Sequence, residues 1–361
     1  MKYLKFTSVF LLFLLFGCSK DYVAPDFISN GAYQGEYFPT TEWRYCSPEE
    51  VGVNSKQLVK AISNISDSDY GTEGYLIIKD GYIIAEDYFR AFSSGQTHTS
   101  YSVAKSFTSA IIGIAIDKGF IGSVDDKISE YYTSLNNDTV QQWKKDITIR
   151  NLLTMTSGIQ WSENSITDND LLNMSTSSDY VDYVLNKSIE VEPGTRWSYN
   201  SGESMLLSGI INLTTGKSML EFAENNLLQP IGINDLDWIS DSKNHTVAGW
   251  GIYATMQDFA RFGYLYLNNG SWDGKQIISE QWINESTSPF RTETPFYGYL
   301  WWLSDGAFDN GIDLPNDIFM AIGAFGQYII VIPSENIIIV RVGNDLNWNA
   351  DEFIQLVLEA V

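Results

Sequence analysis

Cysteine and histidine are almost absent from this chain of 361 residues, which contains two of each. The cysteines are Cys18 and Cys46, and the histidines are His98 and His245. Zinc sites in proteins are built mainly from cysteine and histidine ligands. Four such residues, scattered along the sequence, give little support for a structural or catalytic zinc site. We therefore expect no metal in the functional site.

Positive charge is scarce as well. The 22 lysines and arginines face 45 aspartates and glutamates, and the formal net charge is −23. A surface of this sign repels the phosphate backbone, so we expect no nucleic-acid partner. Glycine-rich loops of the Walker or dinucleotide type are also missing from the sequence. We predict no cofactor, whether organic or metallic.

The apolar run at residues 9–16 is too short to span a bilayer comfortably. It follows Lys2 and Lys5, which is the order of a secretory signal peptide, although a single anchor helix would look similar. The sequence LFGC at its end resembles a lipobox. It predicts a lipoprotein signal peptide at residues 1–17, acylated Cys18, and a place in the bacterial cell envelope, periplasmic or surface-facing. One cysteine would then remain, and no disulfide could form.

The rest of the chain divides into a tether and one domain. Residues 18–41 are polar and lack hydrophobic periodicity, which is typical of a tether. Residues 42–361 show no second linker and no internal repeat. Two segments predict paired strands, 75–89 around Asp80-Gly81 and 327–343, whereas the middle of the chain predicts helices, among them 204–216 and 254–270. We expect an α/β (α+β) fold with one sheet built from both ends of the chain.

A lysine stands one helical turn after a serine at the start of an apolar helix. The spacing places Ser102 and Lys105 on one face, within hydrogen-bonding reach. The residues after Lys105 are apolar, and burial disfavours a charged ammonium, so the lysine is a plausible base for a serine nucleophile.

The pattern alone is not specific, because a second S-x-x-K at Ser240 to Lys243 lies in a polar stretch with no apolar helix after it. Ser102 could instead be a helix cap, with Lys105 extending to solvent. A Ser-His-Asp triad through His98 is the weaker chemical alternative.

The wider sequence resembles the serine β-lactamase-related hydrolases. The segment SYSVAKSFTSAIIGIAIDKGFIGSVDDKISEYY is similar to their S-x-x-K region, and is most similar to the class C-like branch with its esterases, D-aminopeptidases and 6-aminohexanoate-dimer hydrolases. Further segments resemble the family in the same order along the chain: 47–58, 147–161, 192–216, 249–275, 297–303 and 321–343. The resemblance implies a β-lactamase/transpeptidase-like antiparallel sheet flanked by helices, with an inserted, mostly helical subdomain.

The second family motif, usually Y-x-N, is matched here by Tyr199-Asn-Ser201. The resemblance implies that Ser102 is the nucleophile and that Tyr199 is a general acid/base working with Lys105. Which of the two removes the serine proton stays open. Core packing is the alternative for a tyrosine in this aromatic stretch.

The third family motif, usually K-T-G or H-x-G, is matched by Ala321-Ile-Gly323, which lacks the cationic or imidazole residue. The resemblance implies an oxyanion hole made by the backbone amides of Ser102 and Ala324, which needs no particular side chain. The missing lysine argues against recognition of a β-lactam or peptide carboxylate.

Aromatic residues near the motifs are candidates for an apolar acyl pocket. The resemblance suggests substrate contacts from Trp161, Ser201, Gly323 and Trp302, with Trp250 and Trp301 as further candidates, although most tryptophans belong to a core.

The sequence thus predicts a serine hydrolase that cleaves an ester or amide of a small-molecule acyl substrate and touches the membrane only through its lipid anchor. A β-lactamase or penicillin-binding D,D-peptidase, and a non-hydrolytic cell-wall binding protein, are the alternatives.

Overall fold

The structure is a computed structural model, and it describes residues 27, 33–66, 71–163, 169–304, 312, 314–345 and 348–361. The predicted signal peptide and Cys18 lie outside the described residues. Among the residues that are described, no helix is both long and apolar enough to cross a membrane.

A six-stranded antiparallel sheet forms the centre of the fold, in the order β2-β1-β11-β10-β9-β8. Its strands are β1 (Thr72–Lys79), β2 (Tyr82–Tyr88), β8 (Trp302–Leu303), β9 (Phe319–Gly323), β10 (Gln327–Ile332) and β11 (Ile337–Gly343). A small three-stranded sheet contains β3 (His98–Thr99), β4 (Asp237–Trp238) and β5 (Ile252–Ala254). A two-stranded sheet contains β6 (Ser271–Trp272) and β7 (Lys275–Gln276). Because β1 pairs with β11, the ends of the domain meet in one sheet, as the sequence predicts.

Twelve α-helices are found in the described residues. They are α1 (Ser55–Ile65), α2 (Ala104–Asp117), α3 (Ile128–Tyr131), α4 (Gln142–Asp146), α5 (Ile149–Leu153), α6 (Asp170–Ser175), α7 (Tyr180–Leu185), α8 (Ser201–Thr215), α9 (Met219–Ala223), α10 (Met256–Leu267), α11 (Glu280–Ser286) and α12 (Ala350–Leu358). Helices α3 to α9 form the inserted helical region between β2 and the later strands of the sheet.

Local sequence explains the element boundaries that matter for the site. Asp80 and Gly81 both have positive φ, as a tight two-residue hairpin turn requires, and they join β1 to β2. Thr255 accepts a hydrogen bond from the Asp258 N–H, and the Asp258 carboxylate accepts one in return from the Thr255 N–H. This reciprocal cap starts α10 where the sequence predicts it.

The sheet is buried on both faces. Side chains of β1 and β11 alternate, so Ile77 and Ile339 pack towards α1 and α12, whereas Leu76 and Ile338 face the helices that carry the site. Two cores on one sheet make the middle strands rigid, and a rigid sheet can hold β9 in fixed register beside α2.

Residues 33–41, the last part of the predicted tether, are packed against the domain. The buried guanidinium of Arg261 donates through Nε to the Pro39 carbonyl at 2.8 Å, and the Trp272 indole donates to Thr40 Oγ1 at 2.8 Å. The end of the predicted tether thus contacts the domain before residue 42, through a backbone carbonyl and a hydroxyl.

Candidate active site

Ser102 lies in a tight turn that leads directly into α2. The turn spans Tyr101–Val103 and is a 3-10 helix, and α2 begins at the next residue. Tyr101 has φ 44°, in the left-handed region that few non-glycine residues adopt. The chain therefore bends sharply just before Ser102, and the serine is half-buried at the edge of a cleft.

Lys105 is buried, with only 2% of its surface exposed. Its Nζ lies 3.0 Å from Ser102 Oγ, 3.0 Å from Ser201 Oγ and 3.0 Å from the Gly249 carbonyl oxygen. One local oxygen and two from distant parts of the chain thus surround the amine. The first of these contacts is the one that the three-residue spacing predicts.

Tyr199 presents its ring to the same amine. Lys105 Nζ lies 4.8 Å from the ring centroid, and Trp302 stacks on the ring with centroids 6.0 Å apart. The next residue, Asn200, caps α8 by accepting hydrogen bonds from the N–H groups of Gly202 and Glu203. Tyr199 is therefore held where the chain enters a capped helix.

Strand β9 approaches Ser102 so closely that only glycine fits at its end. A Cβ on Gly323 would lie 2.4 Å from the Ser100 carbonyl oxygen and 3.2 Å from Ser102 N. The buried Gln327 side chain donates to the carbonyls of Ala324 and Phe325 at 3.1 and 3.2 Å, which fixes the turn after the strand. The two amides predicted to form an oxyanion hole, at Ser102 and Ala324, thus belong to backbone segments in direct contact.

A cleft of about 700 Å³ opens beside Ser102. Its described lining is mainly apolar and aromatic, with two carboxylates and no lysine, arginine or histidine. The lining residues are Tyr101, Ser102, Glu163, Leu171, Leu172, Ser175, Tyr199, Ser201, Trp250, Trp302, Ile322, Gly323, Ala324, Phe325, Gly326, Tyr328, Asp345 and Trp348. Its chemistry suits a neutral, apolar group.

The predicted substrate-contacting residues do not all reach this cleft. Ser201, Gly323 and Trp302 line it, and so does Trp250. Trp161 instead packs against α8, where its indole donates to Glu163 at 2.6 Å. Trp301 is buried in the core against Phe262, Tyr266 and Phe319, which explains why sequence alone could not separate pocket tryptophans from core ones.

Two contacts of the site have no local sequence signal. The Gly249 carbonyl reaches Lys105 across 144 positions of sequence, and Glu163 accepts from Ser201 N at 2.9 Å and from Ser201 Oγ at 3.2 Å. Glycines and glutamates of this kind are too common to single out by pattern, so only the folded chain identifies them.

A buried carboxyl lies on α8 behind the cleft. Glu203 is 2% exposed and its Oε1 accepts a hydrogen bond of 2.5 Å from Ser157 Oγ. Burial raises the pKa of Glu203 well above its ordinary value. Burial therefore favours the neutral, protonated form of this carboxyl.

The two histidines lie in contacts of their own. His98 is bonded through both ring nitrogens, to Glu73 at 2.8 Å and to the Thr99 carbonyl at 3.0 Å, so its ring is engaged away from Ser102. Asp179, Asp241 and His245 are the only group of three possible metal ligands in the described chain. Their carboxylates already accept four backbone N–H bonds, which accounts for the cluster as helix and turn capping.

The family model described as Beta-lactamase matches residues 64–360. The chain belongs to the β-lactamase family. The match includes the whole central sheet and every element that contributes to the site, and the family fold predicted from the sequence is confirmed.

Relatives in this family include hydrolases of several kinds. The 6-aminohexanoate-dimer hydrolase of Paenarthrobacter ureafaciens is 22% identical over 297 residues, which is 76% of this chain and 72% of that protein. Among solved structures, EstCE1, a hydrolase with promiscuous acyltransferase activity, superposes with a TM-score of 0.70 at 15% identity, covering 85% of this chain and 98% of that one. A family VIII carboxylesterase gives 0.66 at 17% identity, covering 84% and 96%. At these identities the structures establish the shared fold.

Proposed function

We propose that this chain is a serine hydrolase that cleaves a carboxylic ester or linear amide through an acyl-enzyme on Ser102. The observation that carries the proposal is the 3.0 Å contact between Lys105 Nζ and Ser102 Oγ at the edge of an apolar cleft. A buried amine beside a serine hydroxyl is the arrangement that an activated nucleophile requires. The esterases and the 6-aminohexanoate-dimer hydrolase among the relatives support the same reading.

In the acylation step, Ser102 Oγ forms a bond to the carbonyl carbon while its proton passes to the Lys105–Tyr199 pair. The tetrahedral intermediate then collapses, the bond to the leaving oxygen or nitrogen breaks, and the pair returns the proton to that atom. Water, deprotonated by the same pair, then attacks the acyl carbon, the bond from that carbon to Ser102 Oγ breaks, the pair returns the proton to Oγ, and the carboxylic acid leaves. No metal or organic cofactor takes part in these steps.

Backbone amides would stabilise the negative charge that develops on the carbonyl oxygen. We assign this role to the N–H groups of Ser102 and Ala324, because Gly323 brings the two segments into contact. Such donors are worth roughly 10²–10³ in rate each, and they do not depend on the lysine that is missing at Ala321. Acyl transfer can therefore continue without a cationic third motif.

The experiment is intact-mass spectrometry of the protein from residue 19 onward. The protein is exposed briefly to p-nitrophenyl butyrate, a penicillin and a linear amide, and product release is followed in parallel. We expect turnover or an acyl adduct with the ester or the amide, and neither in Ser102→Ala. Rapid turnover of the penicillin would instead indicate a β-lactamase or D,D-peptidase, and no reaction with any donor would favour a non-hydrolytic binding protein.

We further propose that the domain is held at the bacterial cell envelope by a lipid on Cys18. The support is the sequence alone, with lysines, a short apolar run and the LFGC sequence in that order. In the full chain expressed in a bacterium, Cys18→Ser should move the protein from the membrane fraction to the soluble fraction. An unchanged distribution would refute the anchor and leave the proposed chemistry untouched.

A further inference from the structure

Glu163 lies in the wall of the cleft, and the mechanism above does not use it. Its Oε2 accepts hydrogen bonds from Trp161 Nε1 at 2.6 Å and from Ser201 N at 2.9 Å. Its Oε1 accepts a hydrogen bond from Ser201 Oγ at 3.2 Å. A carboxylate can only accept, so the single proton of the Ser201 hydroxyl points at Glu163.

The direction of this bond determines what Ser201 can offer to Lys105. A hydroxyl has one proton and two lone pairs, and the proton of Ser201 is already committed. Its oxygen, 3.0 Å from Lys105 Nζ, must therefore accept from the amine. The chain of hydrogen bonds runs one way, from Lys105 through Ser201 to Glu163.

A neutral lysine, which is the form that can accept a proton, has two N–H donors and one lone pair. The Gly249 carbonyl at 3.0 Å can only accept, and it takes one donor. Ser201, with its direction fixed, takes the other. The lone pair is then left facing the third neighbour, Ser102 Oγ, also at 3.0 Å.

We propose that Glu163 is a positioning residue that fixes the direction of the Ser201 hydroxyl, so that the lone pair of neutral Lys105 faces Ser102. The inference rests on the proposed function, because it concerns the acylation step on Ser102. Without the carboxylate, the Ser201 hydroxyl is free to turn its proton towards the amine. The lone pair would then be occupied by Ser201, and an N–H instead of the lone pair would face the nucleophile.

The variant Glu163→Gln tests this with little change in shape. Three donors converge on Glu163, and the NH₂ group of a glutamine would face at least one of them. We expect kcat/KM for p-nitrophenyl butyrate to fall roughly 10- to 100-fold, which is the size of effect that one disrupted polar contact in a buried site produces. The loss should lie in the acylation rate constant, measured by rapid mixing, with the Kd of the ester changed less than about threefold.

The chain offers a matched control at another helix start. The Glu221 carboxylate accepts from Ser218 N at 2.8 Å and from Ser218 Oγ at 2.9 Å, which repeats the contacts of Glu163 with Ser201 away from the cleft. Glu221→Gln should therefore leave every kinetic constant unchanged. Thermal unfolding of both variants shows how much of any effect is structural.

A second pair of variants separates positioning from general damage. Ser201→Ala removes the intermediate hydroxyl, and Ser201→Thr retains it, so the threonine should restore most of the acylation rate. In the Ser201→Ala background, Glu163→Gln should cost less than about a further twofold, because its route to Lys105 is already broken.

The outcomes distinguish a failure of the proposed role of Glu163 from a failure of the proposed serine hydrolase function. Slow acylation in Glu163→Gln, with rescue by threonine and no further loss in the double variant, supports it. Wild-type turnover with an unchanged Glu163→Gln rate, or full additivity in the double variant, overturns the role of Glu163 and leaves the serine mechanism standing. A wild-type protein that reacts with no acyl donor overturns both.

Discussion

Adding one methyl group at Gly323 should disable the site while the fold persists. The Cβ of an alanine there would lie 2.4 Å from the Ser100 carbonyl oxygen, against an ordinary carbon–oxygen separation of about 3.3–3.6 Å. Strand β9 and the turn of Ser102 must therefore separate by roughly 1 Å. A displacement of this size costs on the order of 100-fold in rate, and loss of one oxyanion donor costs roughly 10²–10³.

The assay is kcat/KM for p-nitrophenyl butyrate, together with urea unfolding. For Gly323→Ala we expect a fall of at least about 100-fold in kcat/KM and a loss of about 1–3 kcal/mol in the free energy of unfolding. Gly263→Ala is the control, since its Cβ would meet side-chain methyl groups of Ile329 and Ile338 at 2.9 and 3.2 Å in the core. It should change stability and leave kcat/KM intact. If Gly323→Ala retains kcat/KM within about threefold of the wild type, the close approach of β9 does not form the oxyanion hole.

Three further outcomes are expected. The described lining of the cleft contains the carboxylates of Glu163 and Asp345 and no basic side chain, so it should repel a negatively charged substrate. We expect kcat/KM to be about tenfold higher for p-nitrophenyl hexanoate than for the mono-p-nitrophenyl ester of adipate, which carries a carboxylate. Equal values of kcat/KM would refute this charge selection. Because burial raises the pKa of Glu203, the folded state binds the proton of this carboxyl more tightly than the unfolded state does. The resulting stabilisation is fully present below the ordinary pKa of glutamate and is lost as the pH rises towards the raised pKa of the folded state. Urea unfolding at pH 5 and pH 8 should thus show Glu203→Gln gaining on the wild type at the higher pH, and a constant difference would contradict the shift. Arg261→Met should lower the free energy of unfolding by about 3 kcal/mol, since it leaves the buried Asp258 carboxylate without its 2.8 Å partner. A loss below about 1 kcal/mol in urea unfolding would show that the contacts of Asp258 with Thr255 are enough to hold the carboxylate.

Local patterns predict the parts of this molecule that are formed by neighbours in sequence. Asp80-Gly81 specifies the first hairpin, and the Thr255–Asp258 cap specifies the start of α10. The three-residue spacing of Ser102 and Lys105 places their side chains on one face, and in the structure Lys105 Nζ lies 3.0 Å from Ser102 Oγ. These features follow from backbone geometry alone.

The remaining contacts of the site depend on how distant segments pack, which spacing does not encode. Trp161 and Trp302 are equally good candidates for the cleft from sequence, yet Trp161 packs against α8 and Trp302 lines the cleft. Residues 33–41 lack periodicity, but the Pro39 carbonyl and the Thr40 hydroxyl are held by Arg261 and Trp272 of the domain. A segment without hydrophobic periodicity can therefore be ordered when residues of the domain supply hydrogen-bonding partners for it.

The placement of Lys105 follows from this difference between local and distant contacts. One of its three oxygen neighbours is local, and the other two, from Ser201 and Gly249, arrive only when α8 and the chain before β5 pack around α2. In an unfolded or partly folded chain these two oxygens would not be held beside the amine. We therefore expect the full set of contacts around Lys105 to form only in the completed fold. Variants that loosen the packing of α8 against α2 should lose acylation before they lose the central sheet.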